Sequence, residues 1–203
     1  MKGFLSSRKL LCRMVKAGFA QAVRYNDTVD FILQDFRPED FEVLWRIDQK
    51  CFARGIAYSR RELAAYVRRR GSFTVVAKRV FPDGMPAELS QPESDDFAGI
   101  LGFIVAEAGR RGVGHIISID VLPESRRLGI GSSLLSTAEE RLQIALCHTV
   151  ILETAVDNAS ALAFYKRHHY SVVKIVPRYY SNGVDAFLMD KSLLPAESAR
   201  RQL

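Results

Sequence analysis

Residues 118–142, SIDVLPESRRLGIGSSLLSTAEERL, constrain the fold of this chain more than any other stretch. An alternating apolar strand ends at Leu122-Pro123, and an amphipathic helix starts near Gly129. Between them lies Arg126-Arg127-Leu128-Gly129-Ile130-Gly131. A helix start presents unpaired N–H groups and a partial positive charge. Glycines let a bulky anion approach that backbone, and two arginines add charge beside it. The turn is therefore suited to hold a pyrophosphate. Taken alone, a short Gly-x-Gly fits a tight turn with no ligand equally well.

The rest of the chain arranges itself around this unit. Residues 29–36 read as a strand. Pro38 opens a helix with early acids and apolar Phe41, Leu44 and Ile47 at helical spacing. Ser59 and Glu62 form a capping box for a second helix. That helix stops at Arg68-Arg69-Arg70-Gly71, cations at its negative end. Residues 73–80 and 98–108 read as strands, with a polar, Pro-containing loop over 82–97. A strand over 114–122, a helix over 129–146, a strand over 149–155 and a helix over 159–168 follow. Residues 171–176 and 184–189 look like a closing pair of strands. The order is mixed α/β, with antiparallel hairpins around a central strand–helix–strand unit.

Composition narrows the class. The 203 residues suffice for one domain, here residues 29–194, and the 48% apolar, 26% charged balance is that of a soluble globular protein. No apolar run approaches the ~18 residues of a membrane span. Residues 1–28 are basic and read as an extension: a disordered or weakly helical tail, or a start codon placed too far upstream, with a membrane-surface or nucleic-acid arm as the alternative. Residues 195–203 form a C-terminal tail. Cys12, Cys51 and Cys147 lack metal or disulfide spacing and suit a reducing cytoplasm. The net charge of +6 favours an anionic partner but does not choose among a phosphate-bearing cofactor, nucleic acid and none. A dinucleotide fingerprint fails, because Leu134 stands where its third Gly belongs and too little chain follows Glu153. His168 and His169 are adjacent at a helix end and point apart, so no metal is expected.

Three motifs decide among these readings: Arg126-x-x-Gly129-x-Gly131; Glu153 at a strand end followed by Asn158, Ala161 and Tyr165; and Arg178-Tyr179-Tyr180-Ser-Asn-Gly-Val-Asp185-Ala186. Over residues 29–194 the chain resembles the GNAT superfamily of acyl-CoA N-acyltransferases. Within it, the chain is most similar to the ribosomal-protein-alanine N-acetyltransferases of bacteria and the N-terminal acetyltransferases of archaea. Residues 51–63 are similar to the family's substrate-side loop. The resemblance implies a strongly twisted, mixed sheet of six to seven strands with about four helices, whose central parallel strands splay apart. It implies acetyl-CoA as co-substrate, its pantetheine arm paired with Ile119, Asp120 and Val121. The pyrophosphate would lie on the turn of Arg126, Arg127, Leu128, Gly129, Ile130, Gly131 and Ser132. Asn158 would bond the pantetheine or the nearby chain.

The resemblance also implies roles for side chains. Glu153 is the expected general base, acting through water, and Tyr165 the expected acid toward the CoA sulfur. A backbone N–H near Val121 would hold the oxyanion, and Tyr179 and Tyr180 would grip the acceptor. Read without the resemblance, Glu153 is a strand-end carboxylate, Tyr165 a half-buried helix residue, and the tyrosine pair ordinary strand aromatics. His169 stands where the family usually has Gly, which demands a left-handed backbone of a histidine. The leading function is acetylation of a protein or peptide N-terminal α-amine, including that of a ribosomal protein, in the cytoplasm, with no specific nucleic acid and no membrane span. A small-molecule amine or a lysine is the enzymatic alternative, and an acyl-CoA-sensing or ribosome-binding module the non-enzymatic one.

Overall fold

A computed structural model describes residues 21–23, 30–80 and 97–194. The expected loop over 82–97, apart from Phe97, lies outside the described residues. So do the C-terminal tail and most of the N-terminal extension. The elements run β1 Gln21–Val23, β2 Asp30–Asp35, α1 Phe41–Cys51, α2 Arg60–Arg68, β3 Ser72–Val80, β4 Ile100–Ala108 and β5 Val113–Val121. They continue α3 Ile130–Ile144, β6 Thr149–Ala155, α4 Ala159–Arg167, β7 Ser171–Val176 and β8 Ala186–Ser192.

Local chemistry accounts for the boundaries. Pro38 starts a single 3-10 turn that runs into α1, and buried Asp40 accepts the N–H of Arg37 at 3.0 Å. Ser59 and Glu62 close the expected capping box on α2, with Ser59 N–H donating to Glu62 at 2.9 Å. Beyond the end of α2, Arg69 pairs with Glu107 at 3.1 Å and lies over the Tyr66 ring. This part of the arginine run thus serves the helix terminus. β4 begins two residues later than the pattern suggests, because Ala98 and Gly99 hold positive φ angles of 49° and 72° that a strand cannot contain. Val184 and Asp185 fall outside β8: the Asp185 side chain accepts the N–H of Arg178 at 2.7 Å, and its carbonyl accepts that of Val156. His169 takes the left-handed conformation expected at the end of α4, with φ of 69°.

The sheet order is β1-β2-β3-β4-β5-β6-β8-β7. Every described pairing is antiparallel except β5 with β6. It has one strand more than expected. The extra strand is β1, which pairs Gln21–Val23 with Phe31–Leu33 ahead of the expected domain start. Three residues are too few to show a period-2 pattern inside a basic apolar stretch. β8 inserts between β6 and β7, leaving β7 at the edge.

Two cores flank the sheet. On one face α3 and α4 cover Ile104, Ile116, Val150, Leu152 and Met189. On the other, α1 and α2 cover Val76, Phe103 and Val105 with Leu44, Ile47 and Leu63, which are fully buried. Among the described residues, no helix is long and apolar enough to cross a membrane.

Candidate active site

β5 and β6 make the gap in which the candidate residues meet. They pair only from Val113–Thr149 to Ile116–Leu152, although β5 runs five residues further and β6 three. The splay implied by the resemblance is therefore present. Leu122 donates its N–H to Leu101 of β4. Strand alternation then turns the peptide groups of Ile119 and Val121 away from β4, into the gap. Asp120, expected with them, instead faces β4 with its backbone and α1 with its side chain. An extended amide chain can thus pair with Ile119 and Val121 alone.

A bulge shifts the faces of β5. β4 pairs Val105 with Ser118 and Ala106 with Ile116, skipping Ile117. Before the bulge, Gly114 and Ile116 face α3; after it, Ile119 and Val121 do. His115 is turned to the α1–α2 face, where its Nε2 meets Glu153 Oε2 of β6 at 2.7 Å. A carboxylate only accepts, so this nitrogen carries the proton, and in the neutral ring Nδ1 keeps its lone pair. The two side chains are 30% and 16% exposed, so the imidazole is the more accessible member. Sequence reading found Glu153 but not His115. The available signal was a histidine one strand earlier and on the same face, which the bulge concealed.

Two tyrosines lie beside Glu153, and a second pair lies beyond them. Tyr179 packs edge-on to Tyr180, with ring centroids 5.0 Å apart, and Tyr58 likewise meets Tyr66 at 5.2 Å. Burial, then the charge of Glu153, raises the Tyr179 phenol and pushes that of Tyr180 up to about 12. The loop carrying both tyrosines touches the α1–α2 loop: Ser181 Oγ donates to Gly55 O at 3.0 Å. Gly55 has φ of +90°, and a Cβ there would lie 2.7 Å from that of Asn182, so glycine permits the approach. Tyr165 of α4 is 6% exposed, edge-on to Phe164 and Tyr170. Its phenol is raised by burial, then by Asp120 and Tyr180, and therefore stays protonated.

The anion turn has the expected form. Gly129 is the N-cap of α3 at φ 82°, and no side chain caps the helix, so the first-turn N–H groups are presented bare. Leu128 and Ile130 turn their side chains into the core and leave only backbone to a ligand. Arg127 is exposed with φ of 63°; Arg126 folds back so that its Nε donates to Val121 O at 3.1 Å. A Cβ at Gly131 would make ordinary van der Waals contact, its nearest neighbour being Phe164 at 3.5 Å. Ser132 Oγ bonds His168 Nε2 at 2.9 Å. Asn158 spends its Oδ1 on the α4 cap, accepting from Ala161 N at 3.1 Å, which directs its amide N–H groups elsewhere. A shallow depression of ≈ 580 Å³ beside Lys166 and His169–Val172 holds none of the residues of the gap, which is an open cleft between strands.

Beneath the cleft two acids are buried. Asp48 is pushed up to about 7 by burial, and Asp120 well above the carboxylate range by burial and then by Asp48. Glu62, Cys51, Tyr58, Tyr165 and Arg126 are the other titratable groups around them. Both folded values exceed the unfolded ones. The stability they support is whole below the ordinary carboxyl value and is lost as pH climbs through about 7 for Asp48, and higher for Asp120. Asp120→Asn is expected to raise Tm by several degrees at pH 8.5 and by less at pH 5.5. Equal Tm changes at both pH values in a thermal melt would contradict this.

Comparison with known proteins accords with this geometry. The family model described as "Acetyltransferase (GNAT) family" matches residues 20–170. An uncharacterized N-acetyltransferase of Methanocaldococcus jannaschii is 44% identical over 93 residues, 45% of this chain and 59% of that protein. An N-alpha-acetyltransferase of Sulfurisphaera tokodaii is 40% identical over 77 residues, 37% of this chain and 46% of that protein. The chain thus spans about half the length of these relatives. The ribosomal-protein-S18-alanine N-acetyltransferase of Escherichia coli shares the fold at TM-score 0.63 and 19% identity, over 82% of this chain and 96% of that one. With a strand splay, a bare glycine-capped helix start beside it, and a family match across three-quarters of its residues, the chain belongs to the acetyltransferase (GNAT) family.

Proposed function

We propose that the protein transfers acetyl from acetyl-CoA to the α-amine of a protein or peptide N-terminus, in the cytoplasm. The observation that carries this reading is the His115–Glu153 contact of 2.7 Å at the mouth of the β5–β6 gap, with Tyr179 and Tyr180 beside Glu153. Acetyl-CoA fits the gap: the backbone of Ile119 and the N–H of Val121 offer a strand edge that β6 does not pair, and the α3 start offers bare N–H groups for the pyrophosphate. When bound, it supplies a thioester carbonyl and a thiolate leaving group.

The chain's own residues divide the remaining work. Glu153 holds the Nε2 proton of His115 and orients the ring, while Nδ1 accepts the amine proton directly or through one water. The base is therefore a dyad, with the carboxylate behind the imidazole. The Val121 N–H points at the gap and is placed to hold the oxyanion. Tyr165, kept as a phenol, donates a hydrogen bond to the sulfur. The name of the Sulfurisphaera tokodaii relative, N-alpha-acetyltransferase, supports an α-amine acceptor, and that of the Escherichia coli protein makes a ribosomal protein a candidate for it.

Proton chemistry favours the same choice. An α-amine has pKa near ~8 and a lysine amine ~10.4, so at pH 7 roughly a tenth of the first but only about one part in two thousand of the second is neutral. A single dyad faces about 3 kcal/mol more with lysine. Peptides with free N-terminal Ala or Ser are expected to be acetylated on the order of 10²-fold faster than the same peptides with a blocked terminus and an internal lysine. Mass spectrometry after incubation with acetyl-CoA checks this. Label found mainly on lysine would overturn the α-amine assignment, and no label on either set would overturn the transferase reading.

A further inference from the structure

The end of α1 is bound to the cofactor side of the cleft in a way the reaction itself does not use. Asp48 Oδ2 accepts the Tyr58 N–H and Gln49 Nε2, both at 2.9 Å. Gln49 Nε2 also donates to the Tyr58 carbonyl at 2.8 Å. Both backbone polar groups of Tyr58 are thus held by one turn of α1. The Tyr58 hydroxyl crosses to β5 and donates to Ile117 O, the bulge residue, at 3.2 Å. One turn after Asp48, Cys51 Sγ donates to Val121 O at 3.3 Å. These two contacts bracket the strand segment that points into the gap.

The same loop also faces the acceptor. Between Cys51 and Tyr58 lies Gly55, whose carbonyl takes the Ser181 hydroxyl of the tyrosine loop. The burial of Asp48, 0% exposed with its Oδ1 unpartnered, is costly for an acid whose Oδ2 is spent on Gln49 and on the N–H of Tyr58. That cost makes sense if the position of the loop matters.

We propose that Asp48, Gln49 and Tyr58 form a positioning strut that couples the acceptor-side loop to the cofactor-side edge of β5, so that occupation of either site orders the other. It rests on the transferase reading above. If Ile119 and Val121 are drawn into pairing with an extended ligand, Ile117 O is fixed, and with it Tyr58 and the loop as far as Gly55. The converse follows by linkage, since a coupling free energy acts equally in both directions.

Calorimetry tests the strut with CoA, which binds without turnover, and a peptide starting with Ser. In the wild type, CoA is expected to raise peptide affinity at least about fivefold, the lower range of such couplings. Tyr58→Phe keeps the ring against Tyr66 and removes only the bond to Ile117 O. It is expected to bring the coupling to within about twofold of none, a loss of roughly one hydrogen bond's worth or more, while each ligand alone binds nearly as before. Gln49→Ala, at an exposed position, loosens Tyr58 from the far side and is expected to reduce the coupling in the same direction even if Tyr58→Phe folds poorly. Binding of both ligands without coupling in the wild type would overturn the strut alone, as would undiminished coupling in both variants. A wild type that binds no CoA would overturn the transferase reading and the strut with it.

Discussion

Glu153→Gln is expected to lower kcat about 10²–10⁴-fold, the usual worth of a positioned base, with acetyl-CoA affinity little changed. The carboxylate sits 2.7 Å from His115 Nε2, on the α1–α2 face of the sheet, whereas the anion turn opens α3 at the other side of the gap. Gln keeps the size of the side chain and can still accept from the imidazole, but it carries no charge to face the ring when Nδ1 takes a proton. His115→Gln removes the acceptor itself and is expected to cost a similar factor. Because the two act as a unit, the double variant is expected to be scarcely worse than either single one. Multiplicative losses in steady-state kinetics would show that Glu153 and His115 act separately, and a Glu153→Gln enzyme at the wild-type rate would remove the dyad from the chemistry.

Tyr165→Phe is expected to lower kcat about 10²–10³-fold, the worth of a donor aimed at developing charge. Burial raises its phenol, so full proton transfer to a thiolate is uphill; the residue serves chiefly as a hydrogen-bond donor. A phenol held protonated this way leaves no high-pH limb of its own in the kcat profile. The ring packs against Phe164 and Tyr170, and Phe preserves those contacts, so Tm is expected to hold. Near wild-type kcat in Tyr165→Phe would take this residue out of the mechanism.

Much of the fold was legible because its signals are local. The Ser59–Glu62 box, the Pro38 start and the helix start at Gly129 are each decided within four residues, and each stands in the structure. Errors at strand ends arose where positive φ angles or a side-chain bond to the backbone interrupted an apolar run, as at Ala98 and Asp185. β1 was missed because its place in the sheet comes from pairing with β2, not from any pattern of its own.

The candidate site divides along the same line. By itself, the sequence determined the strand–turn–helix that offers an anion its backbone, the strand-end carboxylate Glu153, and Tyr165 seven residues beyond Asn158 on the same side of α4. All of these follow from short-range periodicity and capping. Only the tertiary structure decided that His115 joins Glu153, that Asp120 turns away from the gap while Ile119 and Val121 turn into it, and that Tyr58 reaches the bulge at Ile117. The His115–Glu153 contact comes from the parallel register of β5 with β6, and beyond Ile117 the physical reason is the bulge. One skipped residue in the β4–β5 pairing reverses the faces of every later side chain on β5. A register shift between two strands is a property of their pairing, which the sequence of neither strand contains.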